Sequence, residues 1–430
     1  AAAAKGVDDN GSTEAVAMDK AGLIDLNDPD KLEKVETYVK VSRKGADKLD
    51  VKIKERRSGR RAEGDKDDSQ FLTDLVGNFD DVVDVTVEAE TIGLESEAMF
   101  ESLLENSENS GAVKEVVTVA AEIGVKDKDN LSSVFVNVDQ ADAVKEVVTV
   151  ASEIGAKDKD NLGSVFKNAD KAEDLKEVVT VASEIGAKDV TNLGSVLKNA
   201  DKADSLNKVM KVAKEAIGTE ATPGGEKKLD SSSLDILSST LQNADKATEL
   251  AEVMDVAADL GAQDATNLTN VFKNADKADS LNKVMKVAKE TLGSGDGDEK
   301  KLDSSSLDIL SSTLQNADKA ADLAEVMDAA ADLGAQSAEN LTSVFQNADK
   351  ANDLKEVMNA AKDSLGTDDG SGVKKLDQSQ ASFLTDTLKN ADKASEMKAA
   401  TDQLSSLGSD ADAASLFTNL VDVGTVIKKA

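Results

Sequence analysis

Along most of the chain the apolar residues fall on helical stripes. Around Asn168, Leu162, Val165, Phe166 and Ala169 stand at i, i+3, i+4 and i+7, and a second stripe follows as Ala172, Leu175, Val178, Val179, Ala182 and Ile185. That spacing predicts two short amphipathic helices packed through their apolar faces. Asp158 suits the N-cap of the first helix. Asn168 suits a left-handed residue that closes it, and Asp170 suits the N-cap of the second, with Glu173 as the far end of a capping box. Gly186 ends the second helix, whose other side (Lys176, Glu177, Ser183) is polar and faces water.

This pattern repeats. The string Asn-Ala-Asp-Lys-Ala, or a close variant, begins at residues 137, 168, 199, 243, 274, 316, 347 and 390. Successive gaps are 31, 31, 44, 31, 42, 31 and 43, so one unit is 31 residues long and three junctions carry an insertion. Helices this short are marginal in water alone, and stacking completes their core. The expected fold is therefore mainly α: an α-solenoid of helix-turn-helix repeats over residues 69–430. Phe135, Phe166, Phe272 and Phe345 share one repeat position with Leu197, Leu241 and Leu314. A site where Phe and Leu interchange fills core volume and is no binding stripe. The Asp in the recurring string is read as a helix cap, not as a ladder of acids.

A longer period lies above the first. Residues 229–292 and 302–365 are near copies at an offset of 73, and the insertions 219–228, 294–301 and 367–375 separate pairs of repeats. Insertions at a fixed place in a solenoid emerge on one face, often the face that touches something.

Residues 1–68 break the rhythm. Residues 1–30 are small and polar, read as a flexible N-terminal segment. In 31–68, Val35, Thr37, Val39 and Val41, then Leu49, Val51 and Ile53, alternate with polar residues and predict a small β-hairpin-like segment turning at Lys44–Asp47. All five arginines lie here, Arg43, Arg56, Arg57, Arg60 and Arg61, and residues 31–61 hold 12 basic side chains against 5 acidic ones. A lone hairpin is marginal in water and needs a surface. Its own solenoid would make it an N-terminal cap; the acidic solenoid of a second copy would make it a head-to-tail joint. The charge asymmetry favours the joint, with Tyr38, Arg43, Leu49, Val51, Ile53, Arg56, Arg57, Arg60 and Arg61 as the assembly interface.

Composition narrows the chemistry. The 430 residues include no His, Cys or Trp and one Tyr, and the net charge is −33. Thiol and Ser-His-Asp nucleophiles, Cys/His metal sites and disulfides are excluded. A surface this acidic repels nucleic acid and anionic lipid. No stretch approaches the ~20 apolar residues of a membrane helix. The opening Ala1–Ala4 resembles the stump left by a signal peptidase, which with the absence of Cys points to the extracellular space or cell surface. Calcium is the one cofactor considered: Asp296, Asp298 and Glu299, and Asp368 with Asp369, gather carboxylates in Gly-rich loops without the full EF-hand pattern. The Lys-Lys that follows each loop argues instead for neutralisation within the loop. Asn130, Asn267 and Asn340 open acceptor sequons, but at a repeat position where Asn is expected at a helix start.

Together these features predict a non-enzymatic structural protein, a self-assembling subunit of a filament, sheath or surface layer whose partner is itself. A monomeric acidic scaffold for basic peptides or proteins is the alternative, and a calcium-responsive adhesin a third reading.

Overall fold

The computed structural model describes residue 18 and residues 34–58, 68–220, 227–293, 304–332, 337–365, 367–368, 374–375, 385 and 387–406. The chain is a helical-repeat solenoid. It divides into two compact units, one of residues 1–183 and 187–207, the other of residues 184–186 and 208–430.

In the first unit, helices α1 (Val35–Ser58), α2 (Asp68–Gly77), α3 (Phe79–Thr91) and α4 (Glu97–Glu105) lead into the repeats. These are α5 (Ser110–Glu122), α6 (Lys128–Val136), α7 (Ala141–Glu153), α8 (Lys159–Lys167), α9 (Ala172–Glu184) and α10 (Val190–Lys198), and the division between the units falls within α11 (Ala203–Ile217). Alternate helices form two rows: α4, α6, α8 and α10 pack side by side, as do α3, α5 and α7. The second unit continues with α12 (Leu234–Gln242), α13 (Ala247–Asp259), α14 (Ala265–Lys273), α15 (Ala278–Leu292), α16 (Ser304–Gln315), α17 (Ala320–Asp332), α18 (Ala338–Gln346), α19 (Ala351–Leu365) and α20 (Ala394–Ser406). Its rows are α12, α14, α16 and α18, and α13, α15, α17, α19 and α20.

The stripes read from sequence are the core. Phe166, Leu162, Val178, Ala182 and Ile185 are fully buried, and the Phe/Leu position is buried in all seven copies. Each such side chain contributes about 1.5–3 kcal/mol of transfer free energy.

In five of the repeats the short helix starts on a side-chain cap. Asp158 has extended backbone and accepts hydrogen bonds from the N–H groups of Asp160 and Asn161; Asp127, Asp189, Asp264 and Ser337 do the same work in their copies. The turn after that helix departs from expectation. Asn168 is not left-handed (φ −115, ψ 39); its amide Nδ2 instead donates to the Ser164 carbonyl at 2.9 Å, satisfying a helix-end acceptor with a side chain. Asp170 lies inside a one-turn 3-10 helix, Ala169–Lys171, and caps nothing. Its place in the first turn before α9 gives its carboxylate a favourable position near the helix N-terminus.

Helix ends follow the repeat spacing. Where the next unit begins 31 residues on, the long helix has 13 residues and closes on a left-handed Gly: Gly155 (φ 78) is followed by the Ala156 N–H bond to Ala151 O at 2.8 Å. Where an insertion follows, the helix has 15 residues, as in α11, α15 and α19. There Gly218 is needed for space, since a Cβ on it would stand 2.2 Å from Lys214 O. Two insertions are two-stranded antiparallel hairpins, β1 (Thr219–Glu220) with β2 (Lys227–Lys228) and β3 (Thr367–Asp368) with β4 (Lys374–Lys375). The third, 294–301, lies outside the described residues.

The hairpin expected in 31–68 is not formed. Residues 35–58 are one helix, α1. A helical stripe runs through the alternating set and shares Val41 with it: Tyr38, Val41 and Gly45 are i, i+3 and i+7, and all three are buried. Gly45, read as a turn, marks a close crossing instead, because a Cβ there would meet Leu75 Cδ2 of α2 at 2.8 Å.

Candidate docking site of the basic helix

Helix α1 lies against α2, α3 and α4 of its own chain. Its lysines recur at Lys40, Lys44 and Lys48, one helical ridge, with Lys34 just before the helix start. Helices α3 and α4 and the turn joining them offer carboxylates at matching places. Lys34 Nζ lies 2.6 Å from Asp84; Lys40 is 2.7 Å from Glu90 and 3.8 Å from Glu95; Lys44 is 2.6 Å from Glu97. Lys48 reaches Glu105 at 3.1 Å and Glu101 at 3.8 Å. Lys40 and Lys44 also sit over the Phe100 ring at 4.8 and 5.7 Å. The result is a lysine ridge seated in an acidic trough.

The apolar anchor is Tyr38. It is 2% exposed, packs on Phe79 with ring centroids 5.7 Å apart, and its hydroxyl donates to Asp80 Oδ1 at 2.6 Å. Thr37, Val39 and Val41 are buried beside it. Asp84 is shared, accepting from Lys34 on one side and from Lys114 of α5 at 2.6 Å on the other. Burial pushes the Asp84 carboxyl up, but the hydrogen bonds and charges of Lys114 and Lys34 outweigh it and hold the group below the usual carboxylate range. Lys114 is correspondingly raised, chiefly by its hydrogen bond to Asp84.

Tyr38 thus belongs to an intramolecular contact, not to a free assembly surface, because the chain's own α3 buries it. Arg43 is exposed on α1. Leu49, Val51, Ile53, Arg56 and Arg57 are residues of α1 whose side chains lie outside the described set, as do Arg60 and Arg61 entirely. The lysines that carry the described contact were not singled out from sequence. Their spacing of four was the available signal, and it was hidden by reading the segment with a period of two.

The same ionic logic joins the repeats. Lys145 pairs with Glu115 at 2.7 Å and Lys176 with Glu146 at 3.0 Å, each linking one long helix to the preceding one. In the next copy Asn207 replaces the lysine and donates to Asp174 and Glu177 at 2.6 and 2.7 Å. The fourth residue of the recurring string reaches the next repeat in several copies: Asn109 donates to Val138 O at 3.1 Å, Lys171 pairs with Asp204 at 3.2 Å, and Lys277 donates to Asp318 O at 2.7 Å.

The remaining candidates fare differently. Asp296, Asp298, Glu299 and Asp369 lie outside the described residues, while Asp368 stands opposite Lys374 in the register of the β3–β4 hairpin. Among the described residues there is no cluster of three or more acidic side chains able to hold a metal ion, and no helix long and apolar enough to cross a membrane. Asn130, Asn267 and Asn340 are buried, and the Asn130 amide is engaged by its cap partner Asp127 at 2.7 Å. Buried amides at a helix start are structural, and a glycan on them would have no exit. No protein-family model, no curated protein and no solved structure matches the chain.

Proposed function

We propose that the chain is a non-enzymatic structural protein, a self-assembling subunit of an extracellular filament, sheath or surface layer. The observation that carries this reading is the stapling of near-identical repeats to one another. Neighbouring turns and neighbouring long helices are joined by charge pairs and hydrogen bonds at recurring repeat positions. The chemistry of the sequence is spent on building a regular stack. Lack of His and Cys leaves no common nucleophile–base pair, and lack of Cys suits an oxidising, extracellular setting. A net charge of −33 is tolerated best where salt screens it.

Electron microscopy of the purified chain across salt and divalent-ion concentrations tests the reading. Ordered filaments, tubes or sheets are expected; a monodisperse monomer under every condition contradicts it. A second reading, an acidic scaffold that binds basic peptides, is favoured by one observation, the trough of α3 and α4 filled by a lysine ridge. It predicts saturable binding of lysine-rich helices without self-assembly.

A further inference from the structure

We propose that α1 is an exchangeable joint: its lysine ridge docks in the α2–α4 trough of a second copy of this chain as it docks in its own. The proposal rests on the structural reading above and names the surface through which copies meet.

The contact has the properties that exchange needs. It is largely ionic and wet along its α4 edge: Glu95, Glu97 and Glu101 keep 62%, 70% and 57% of their side-chain surface exposed, whereas Asp84 and Glu90 of α3 are more covered. Ion pairs with so exposed a partner hold only weakly. Its described apolar part is the small patch of Tyr38, Val39 and Val41. Such a contact forms readily with any partner carrying the same pattern of carboxylates, and a second copy carries it residue for residue. Ridge and trough are complementary in charge, so copies attract through these surfaces and repel elsewhere on their acidic solenoids.

Covalent reach allows it. Nine residues of the same chain, 59–67, join α1 to α2. Docking at home is therefore intramolecular, with an effective concentration that low protein concentrations do not match. Dilute chains therefore keep α1 at home. In a dense layer or fibre, neighbouring troughs reach comparable concentrations, and docking within one chain and between two chains compete on equal terms. Reciprocal exchange closes a two-fold pair; one-way donation continues as an open row.

Zero-length carbodiimide coupling of the unmodified protein reads the joint directly, because Lys44 and Glu97 are 2.6 Å apart and become an amide. Isotopically heavy and light chains are mixed in equal amounts, brought to assembling concentration, coupled and digested. Exchange predicts mixed heavy–light Lys44–Glu97 and Lys40–Glu90 peptides, about a quarter of those products where internal and external docking are equal and about half where all docking is between chains, and a decline in their share on dilution. Purely heavy–heavy and light–light peptides in assembled material overturn the joint while leaving the structural reading standing. Absence of any assembly in the same samples, seen by microscopy, counts against the structural reading itself.

Discussion

At the scale of single residues, chemically similar side chains do unequal work. Asp158 caps a helix with two N–H bonds, whereas Asp170, twelve residues on, accepts no capping bond. Asp158→Ala is expected to cost about 0.5–2 kcal/mol in urea denaturation, and Asp170→Ala a few tenths. Phe166→Ala removes a fully buried ring and is expected to cost about 3–5 kcal/mol. Tyr38 gives the cap an optical reporter, since it is the sole Tyr and the chain lacks Trp. Asp84 beside it in the trough is held low, so its contribution is present above the ordinary carboxylate range and is lost as pH falls through its depressed value. Urea denaturation followed by tyrosine emission should therefore keep the Asp84 contribution through mildly acid pH and lose it only below the range of ordinary Asp titration. Asp84→Asn removes that acid limb; an unchanged acid profile in the variant would contradict the assignment. The sequence disclosed the helix-start cap at Asp158 through its place just ahead of the apolar stripe. It concealed the role of Asn168, whose side chain closes the helix without a left-handed backbone, because both arrangements favour the same residue.

Helices were legible wherever one period dominated. The paired stripes, the 31-residue pitch and the Phe/Leu core position all stand in the structure as the periodicity predicts. α1 was misread because a short segment rich in β-branched residues satisfies two periods at once, and what selects between them is distant: the acids of α3 and α4, some 50 residues away in sequence. In the second unit lysine-free acidic long helices alternate with lysine-bearing ones from α13 to α19. Basic α15 is flanked by acidic α13 and α17: Lys286 pairs with Glu252, Lys289 with Asp259 and Lys283 with Asp328. On the other side of α17, Lys355 of α19 meets Asp322 and Glu325. The 73-residue copy is thus the smallest piece that preserves alternation. Deleting residues 262–334 removes one such copy in register and should leave a cooperatively folded chain with little change in melting temperature. Deleting 265–306 removes α14, α15 and the first three residues of α16, sets acidic α13 against acidic α17, and should cost about 1–3 kcal/mol through lost pairs and like-charge contact. Equal melting temperatures for the two deletions would show that alternation does not set the order of the helices.

The whole molecule joins an acidic repeat stack to a basic helix, and its proposed task depends on where that helix docks. Composition and charge made this asymmetry visible without a structure. They could not specify the address, since the sign of a charge attracts a partner without naming it. Assembly should be strongest at moderate ionic strength and should weaken as salt screens the ridge from the trough. The most direct measurement compares assembly, by microscopy and light scattering, of the triple variant Lys40→Glu, Lys44→Glu, Lys48→Glu with the chain that also carries Glu90→Lys, Glu97→Lys and Glu105→Lys. The account predicts that reversing the ridge alone abolishes ordered assembly and that reversing the trough as well restores it. Assembly of the ridge-reversed chain at the level of the unaltered protein would contradict it.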